Sequence, residues 1–142
     1  MGPDAANPLA HALEDAPPKG PARPPTLAIA AGALLGTGAR ALVGLALPEG
    51  AGGWPWSTFA VNAIGAFVLG AVFGLADRGR APTWLRGPGF TTGVVGSFTT
   101  FSALAVEAGD LGARAALAYA AASLAAGLLA VALGWRAGGG RS

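Results

Sequence analysis

The run Gly96-Ser97-Phe98-Thr99-Thr100-Phe101-Ser102 lies in the middle of an apolar stretch from about Gly89 to Ala108. Hydroxyls and glycines at that depth of a bilayer carry a cost unless the backbone there is buried in protein or lines a cavity. A helix interrupted at mid-membrane builds an ion site, because unwound carbonyls and half-helix ends point at the ion. The alternative is a continuous, loosely packed helix whose Thr and Ser bond their own backbone.

Other polar residues recur at helical spacing. Gly32, Gly36, Arg40 and Gly44 are four apart and share a helix face, as do Thr58, Asn62, Ala66, Gly70 and Gly74, and then Tyr119, Ser123 and Gly127. Arg40 either snorkels to the headgroups or pairs inside a bundle. Asn62 serves either as helix–helix glue or, through its two amide N–H groups, as a donor to an anion. Glu107 is expected near one membrane face, paired with an arginine. Tyr119 and Ser123 would form a polar track or bond across helices. Phe101 is either packing or a positive ring edge turned toward a small anion.

The elements that must position these residues are membrane spans. The chain has 142 residues, 53% hydrophobic and 11% charged, against about 25% charged in ordinary soluble domains. The 24 glycines suit close helix approach in lipid. Cysteine is absent, so disulfides and thiolate chemistry are excluded; the one histidine, His11, lies outside the apolar region. No nucleophile–base or metal constellation exists, and an enzyme is not expected. A net charge of +2 gives no nucleic-acid surface.

Residues 1–25 hold seven of the eleven prolines and read as a disordered, retained tail. Residues 26–136 read as one four-helix transmembrane domain, with spans Thr26 to Leu47, Trp56 to Ala76, Gly89 to Ala108 and Ala115 to Trp135, each about 20 residues long. Residues 137–142 read as a second disordered tail. Trp54-Pro55-Trp56 is an interfacial anchor. Lys19, Arg23, Arg78, Arg80, Arg86, Arg136 and Arg141 fall on one side and Arg114 on the other, which favours both termini inside.

The combination of Gly32-x-x-x-Gly36-x-x-x-Arg40, Thr58-x-x-x-Asn62-x-x-Gly65, Gly96-x-x-Thr99-Thr100-Phe101-Ser102-x-x-x-x-Glu107 and Tyr119-x-x-x-Ser123-x-x-x-Gly127 resembles the Fluc (CrcB) fluoride channels. The resemblance implies an all-α membrane protein of the cell membrane. Its four transmembrane helices, the third broken at mid-membrane, would pair into an antiparallel dimer. It implies two narrow pores that let cytoplasmic fluoride leave passively, and one central sodium ion, structural and not transported. By position, the main-chain carbonyls of Gly96 and Thr99 would hold the sodium. Asn62, Thr100, Phe101, Ser102, Tyr119 and Ser123 would line the fluoride path, with Arg40 and Glu107 as structural polar residues.

One position departs from the family pattern. Leu104 stands where a second aromatic is usual, and leucine offers no positive ring edge. That leaves a homodimer with an altered pore, or a chain that works as the partner subunit of a heterodimer with a related four-span protein. A different class, the small four-helix multidrug or cation exporter, would need a carboxylate in the first span. Arg40 stands there instead.

Overall fold

A computed structural model describes residues 25–47 and 53–140. Residues 1–24, where all but the last residue of the proline-rich tail falls, lie outside the described residues. Secondary structure among the described residues is helical throughout: α1 Thr26–Ala46, α2 Trp56–Asp77, a short α3 Thr83–Arg86, a π-helical turn Gly89–Val95, α4 Gly96–Phe98, α5 Phe101–Asp110 and α6 Ala113–Ala137. Four stretches are long and apolar enough to cross a membrane: α1, α2, the run 89–110, and α6. The boundaries match the sequence expectation to within two residues.

Proline starts these elements. Pro25, Pro55, Pro82 and Pro88 directly precede α1, α2, α3 and the π-helical turn. The first helical N–H groups have no intrahelical partner, so a residue without one is tolerated there. The α2 helix ends on a glycine lock: Gly79 takes φ +65°, its N–H donates to Ala76 O, and Arg80 N–H donates to Leu75 O. These two bonds are the Schellman arrangement, which glycine alone enters without a Cβ penalty.

At the far end α6 runs on to Ala137, and the N–H groups of Gly138, Gly139 and Gly140 donate to Gly134, Arg136 and Trp135 carbonyls. The side chain of Arg78 also donates to Gly139 O. Helix and turn hydrogen bonds therefore reach Gly140, inside the segment 137–142 that the sequence suggests as a tail. Residues 141–142 lie outside the described residues.

Packing is built on backbone approach instead of large side chains. The α2 and α6 helices interlock: a Cβ at Gly70 or Gly74 would strike the carbonyls of Val131 and Trp135, and one at Gly134 or Gly138 those of Phe67 and Ala71. On the other side, α1 meets the 89–95 turn through Gly32, Gly36 and Gly93. Among the described residues the buried hydrophobics are few, namely Val61, Val72, Ala81, Val95 and Tyr119, while Leu34, Leu42, Leu117 and Leu128 stand out from the surface. That inversion is stable in lipid, where outward leucine costs nothing and helix contact comes from small residues.

Candidate functional site

The run 96–102 does not continue as one helix. The α4 helix ends at Phe98. Thr99 (φ −78°, ψ 157°) and Thr100 (φ −151°, ψ 117°) are extended, and α5 begins at Phe101. Three side chains compensate this geometry. Asn62 Nδ2 donates to Thr100 O at 3.0 Å, and Thr100 N–H donates to Asn62 Oδ1 at 2.8 Å. Thr100 Oγ1 accepts from Ala103 N–H at 3.1 Å, a helix N-cap for α5. Thr99 Oγ1 donates back to Val95 O at 3.0 Å.

These bonds release two carbonyls. In a continuous helix the N–H of residue i+4 bonds the carbonyl of residue i. Thr100 N–H, the helical partner of Gly96 O, is given to Asn62, and Ala103 N–H, the helical partner of Thr99 O, is given to Thr100 Oγ1. The carbonyls of Gly96 and Thr99 are thus two of the four that lose their helical donor at the break; those of Ser97 and Phe98, whose i+4 donors are the first N–H groups of α5, are the others. A Cβ at Gly96 would meet only Thr91 O, at 3.7 Å, so within one subunit this glycine is not crowded.

Beside the extended pair lies an open cavity of about 420 Å³. It is lined by Arg40, Thr58, Thr100, Ser102, Ala103, Val106 and Glu107. The walls come from α1, α2 and α5. Thr100 Oγ1 and Ser102 Oγ are 3.2 Å apart at its edge. Glu107 is held by hydroxyls: Thr58 Oγ1 donates to its Oε1 at 2.7 Å, and Tyr119 OH donates to its Oε2 at 3.1 Å. Thr58 is 5% exposed and Tyr119 is fully buried, so both donors are withdrawn from solvent. Trp54 meets the Tyr119 ring edge to face at 5.2 Å and fixes its direction.

The sequence-predicted residues thus fall into two groups. Arg40, Asn62, Thr100, Ser102, Glu107 and Tyr119 converge on the extended pair and its cavity. Ser123 and Phe101 do not. Ser123 Oγ is buried without a hydrogen-bond partner among the described residues, as is Trp54 Nε1. Phe101 is 77% exposed, its ring turned away from its own bundle, and Leu104 is half-buried.

Sequence reasoning missed Thr58 as a partner of Glu107. It also missed that Asn62 spends one N–H and its carbonyl on the Thr100 peptide. The signal was present in the spacing. Thr58 and Asn62 are one turn apart on α2, and Thr100 and Glu107 are seven apart along an opposed run, so the two pairs meet in antiparallel register.

Comparison with known proteins identifies the family. Residues 27–135 match the family model described as CrcB-like protein, Camphor Resistance (CrcB). A fluoride-specific ion channel FluC 1 of Streptomyces coelicolor is 42% identical over 112 residues, covering 76% of this chain and 73% of that protein. A fluoride-specific ion channel FluC of Bordetella bronchiseptica is 42% identical over 113 residues, 76% of this chain and 86% of that protein. One of Chlorobaculum tepidum is 43% identical over 110 residues, 72% and 84% respectively. The match spans all four apolar stretches. With four such spans and this matched length, the chain is a multi-pass membrane protein that belongs to the CrcB-like family of ion channels, not to a family of enzymes.

Proposed function

We propose that this chain is a fluoride-selective channel subunit of the cell membrane that lets fluoride leave the cytoplasm passively and so limits its toxicity. The observation that carries the reading is the extended Thr99–Thr100 pair, clamped by Asn62 beside a cavity that contains Arg40. A small, strongly hydrated anion must exchange water for fixed donors. The Thr100 and Ser102 hydroxyls and the second N–H of Asn62 supply them beside the cavity. Arg40 raises the local anion concentration at the cavity. Glu107 has each of its oxygens occupied by a hydroxyl, so its role is to orient Thr58 and Tyr119.

The same reading makes the third span a helix broken at mid-membrane and assigns a structural sodium ion to the carbonyls of Gly96 and Thr99. Hard cations take oxygen ligands, and unwound carbonyls are a recurrent source of them for sodium. The diversion of both helical partners leaves these carbonyls suited to that role. One chain supplies two ligands, so a second copy packed antiparallel about the ion would complete the set. The 77% exposed ring of Phe101 would then find its place against that copy, its edge toward the anion path. Because Leu104 contributes no ring edge, Phe101 alone serves this function on each chain.

A cell lacking its own fluoride efflux tests the reading. Expression of this chain is expected to restore growth in fluoride, and Asn62→Ala is expected not to. Equal growth with and without the wild-type chain would overturn the proposal.

A further inference from the structure

The two tryptophans of Trp54-Pro55-Trp56, which the sequence suggests as one interfacial anchor, part company in the fold. Trp56 is 59% exposed and stands where amphipathic aromatics are favoured. Trp54 packs inward: its ring meets Tyr119 edge to face at 5.2 Å and Phe59 edge to face at 6.4 Å. Its Nε1 is buried without a hydrogen-bond partner among the described residues, so ring contacts and not a polar bond hold the indole. A buried, unpaired N–H costs stability; it accompanies the placing of a ring here and is not its purpose.

The fully buried Tyr119 donates its OH to Glu107 Oε2 at 3.1 Å, while Thr58 Oγ1 donates to Oε1 at 2.7 Å. Glu107 lines the same cavity as Arg40. A phenol oxygen lies on the ring axis, so the direction of the ring sets where the hydroxyl sits. Tilting Tyr119 would withdraw that hydroxyl and leave Oε2 an unpaired anionic oxygen at the cavity wall. Such an oxygen repels an entering anion and offsets the field of Arg40. Thr58 depends on the same entry segment. It stands in the first turn of α2, where Phe59 N–H donates to Pro55 O at 3.1 Å.

We propose that Trp54 is a positioning residue of the anion path: its edge-to-face contact aims the Tyr119 hydroxyl at Glu107 and so keeps that carboxylate hydrogen-bonded at both oxygens beside the cavity. Its effect on flux rests on the fluoride reading above. Its effect on Tyr119 does not depend on which ion the protein conducts.

The chain has one tyrosine, so tyrosine isotopically labelled at its ζ carbon reports Tyr119 alone in solid-state NMR of the reconstituted full chain. Glu107→Gln sets the resonance of a Tyr119 hydroxyl without its carboxylate. Trp54→Leu should move the resonance toward that value. Trp54→Phe, which keeps a ring edge and drops an unused N–H, should leave it in place, as should Trp56→Leu on the exposed side. Fluoride release from liposomes should fall about fivefold in Trp54→Leu, the rate equivalent of one lost edge-to-face pair, and stay near wild type in Trp54→Phe. Because Trp54 acts through Tyr119, adding Trp54→Leu to Tyr119→Phe should slow release no further. If leucine prevents folding, Trp54→Met, whose flexible side chain fills the space without a ring, carries the same tests. An unmoved Tyr119 resonance in the ringless variant, or flux losses that multiply in the double variant, overturns the proposal. Absence of fluoride release by the wild-type chain overturns the fluoride reading instead, and the Tyr119 resonance then decides this proposal by itself.

Discussion

At the residue scale, Asn62 joins structure to function. It meets the N–H and the carbonyl of Thr100 at once, so Asn62→Ala orphans both. A buried, unsatisfied backbone group costs about 1–3 kcal/mol. With the Thr100 peptide only half-buried, Asn62→Ala is expected to lower stability in detergent by up to that amount and to abolish ion flux. A thermal melt and a flux assay on one preparation check both, and a stable, fully conducting variant would remove Asn62 from the account. Arg40 acts differently, through its field at the cavity. Arg40→Gln should slow anion flux about tenfold at low ionic strength, with the deficit shrinking as salt screens the charge. Flux measured against ionic strength in wild type and variant checks this. Sequence spacing placed both residues on the right faces. It did not show that Glu107 would be held by Thr58 and Tyr119 and not by an arginine, because hydroxyl and guanidinium partners leave the same trace in a one-chain pattern.

At the scale of elements, the spans were legible because hydrocarbon thickness sets their length and proline marks where they start. The construction of the third span was only half legible. Its hydroxyls and glycines pointed to an interruption or to a loosely packed continuous helix, while the π-helical turn at Gly89–Val95 left no mark in the sequence. The glycine content likewise gave close packing but not its pairing, since Gly134 and Gly127 look alike in sequence. In the fold, Gly134 lies against the Phe67 carbonyl and Gly127 faces open space. Gly134→Ala should therefore splay α2 from α6 and cost about 1–3 kcal/mol, as overpacking does. Gly109→Ala, with nothing near its Cβ, should be neutral or slightly stabilising through helix propensity. Parallel melting curves of the two variants check the contrast, and equal destabilisation would contradict the assigned pairing.

At the scale of the molecule, the small buried core and the outward leucines among the described residues suit a chain surrounded by lipid, and the exposed Phe101 is the surface that the proposed second copy would cover. Family membership came within reach of the sequence because the motif pieces sit on all four spans at once; no single piece would have carried it. In the structure α2, the third span and α6 meet in two neighbouring hydrogen-bonded groups, Asn62 with Thr100, and Thr58 and Tyr119 with Glu107. Selective, passive conduction of fluoride is the function proposed for this chain. The most direct measurement is ion release from liposomes containing the purified chain alone, loaded with fluoride in one set and chloride in another. Rapid fluoride release on opening a counter-ion path is expected, with chloride release at background. Equal release of the two anions, or fluoride release no faster than from empty liposomes, would contradict it.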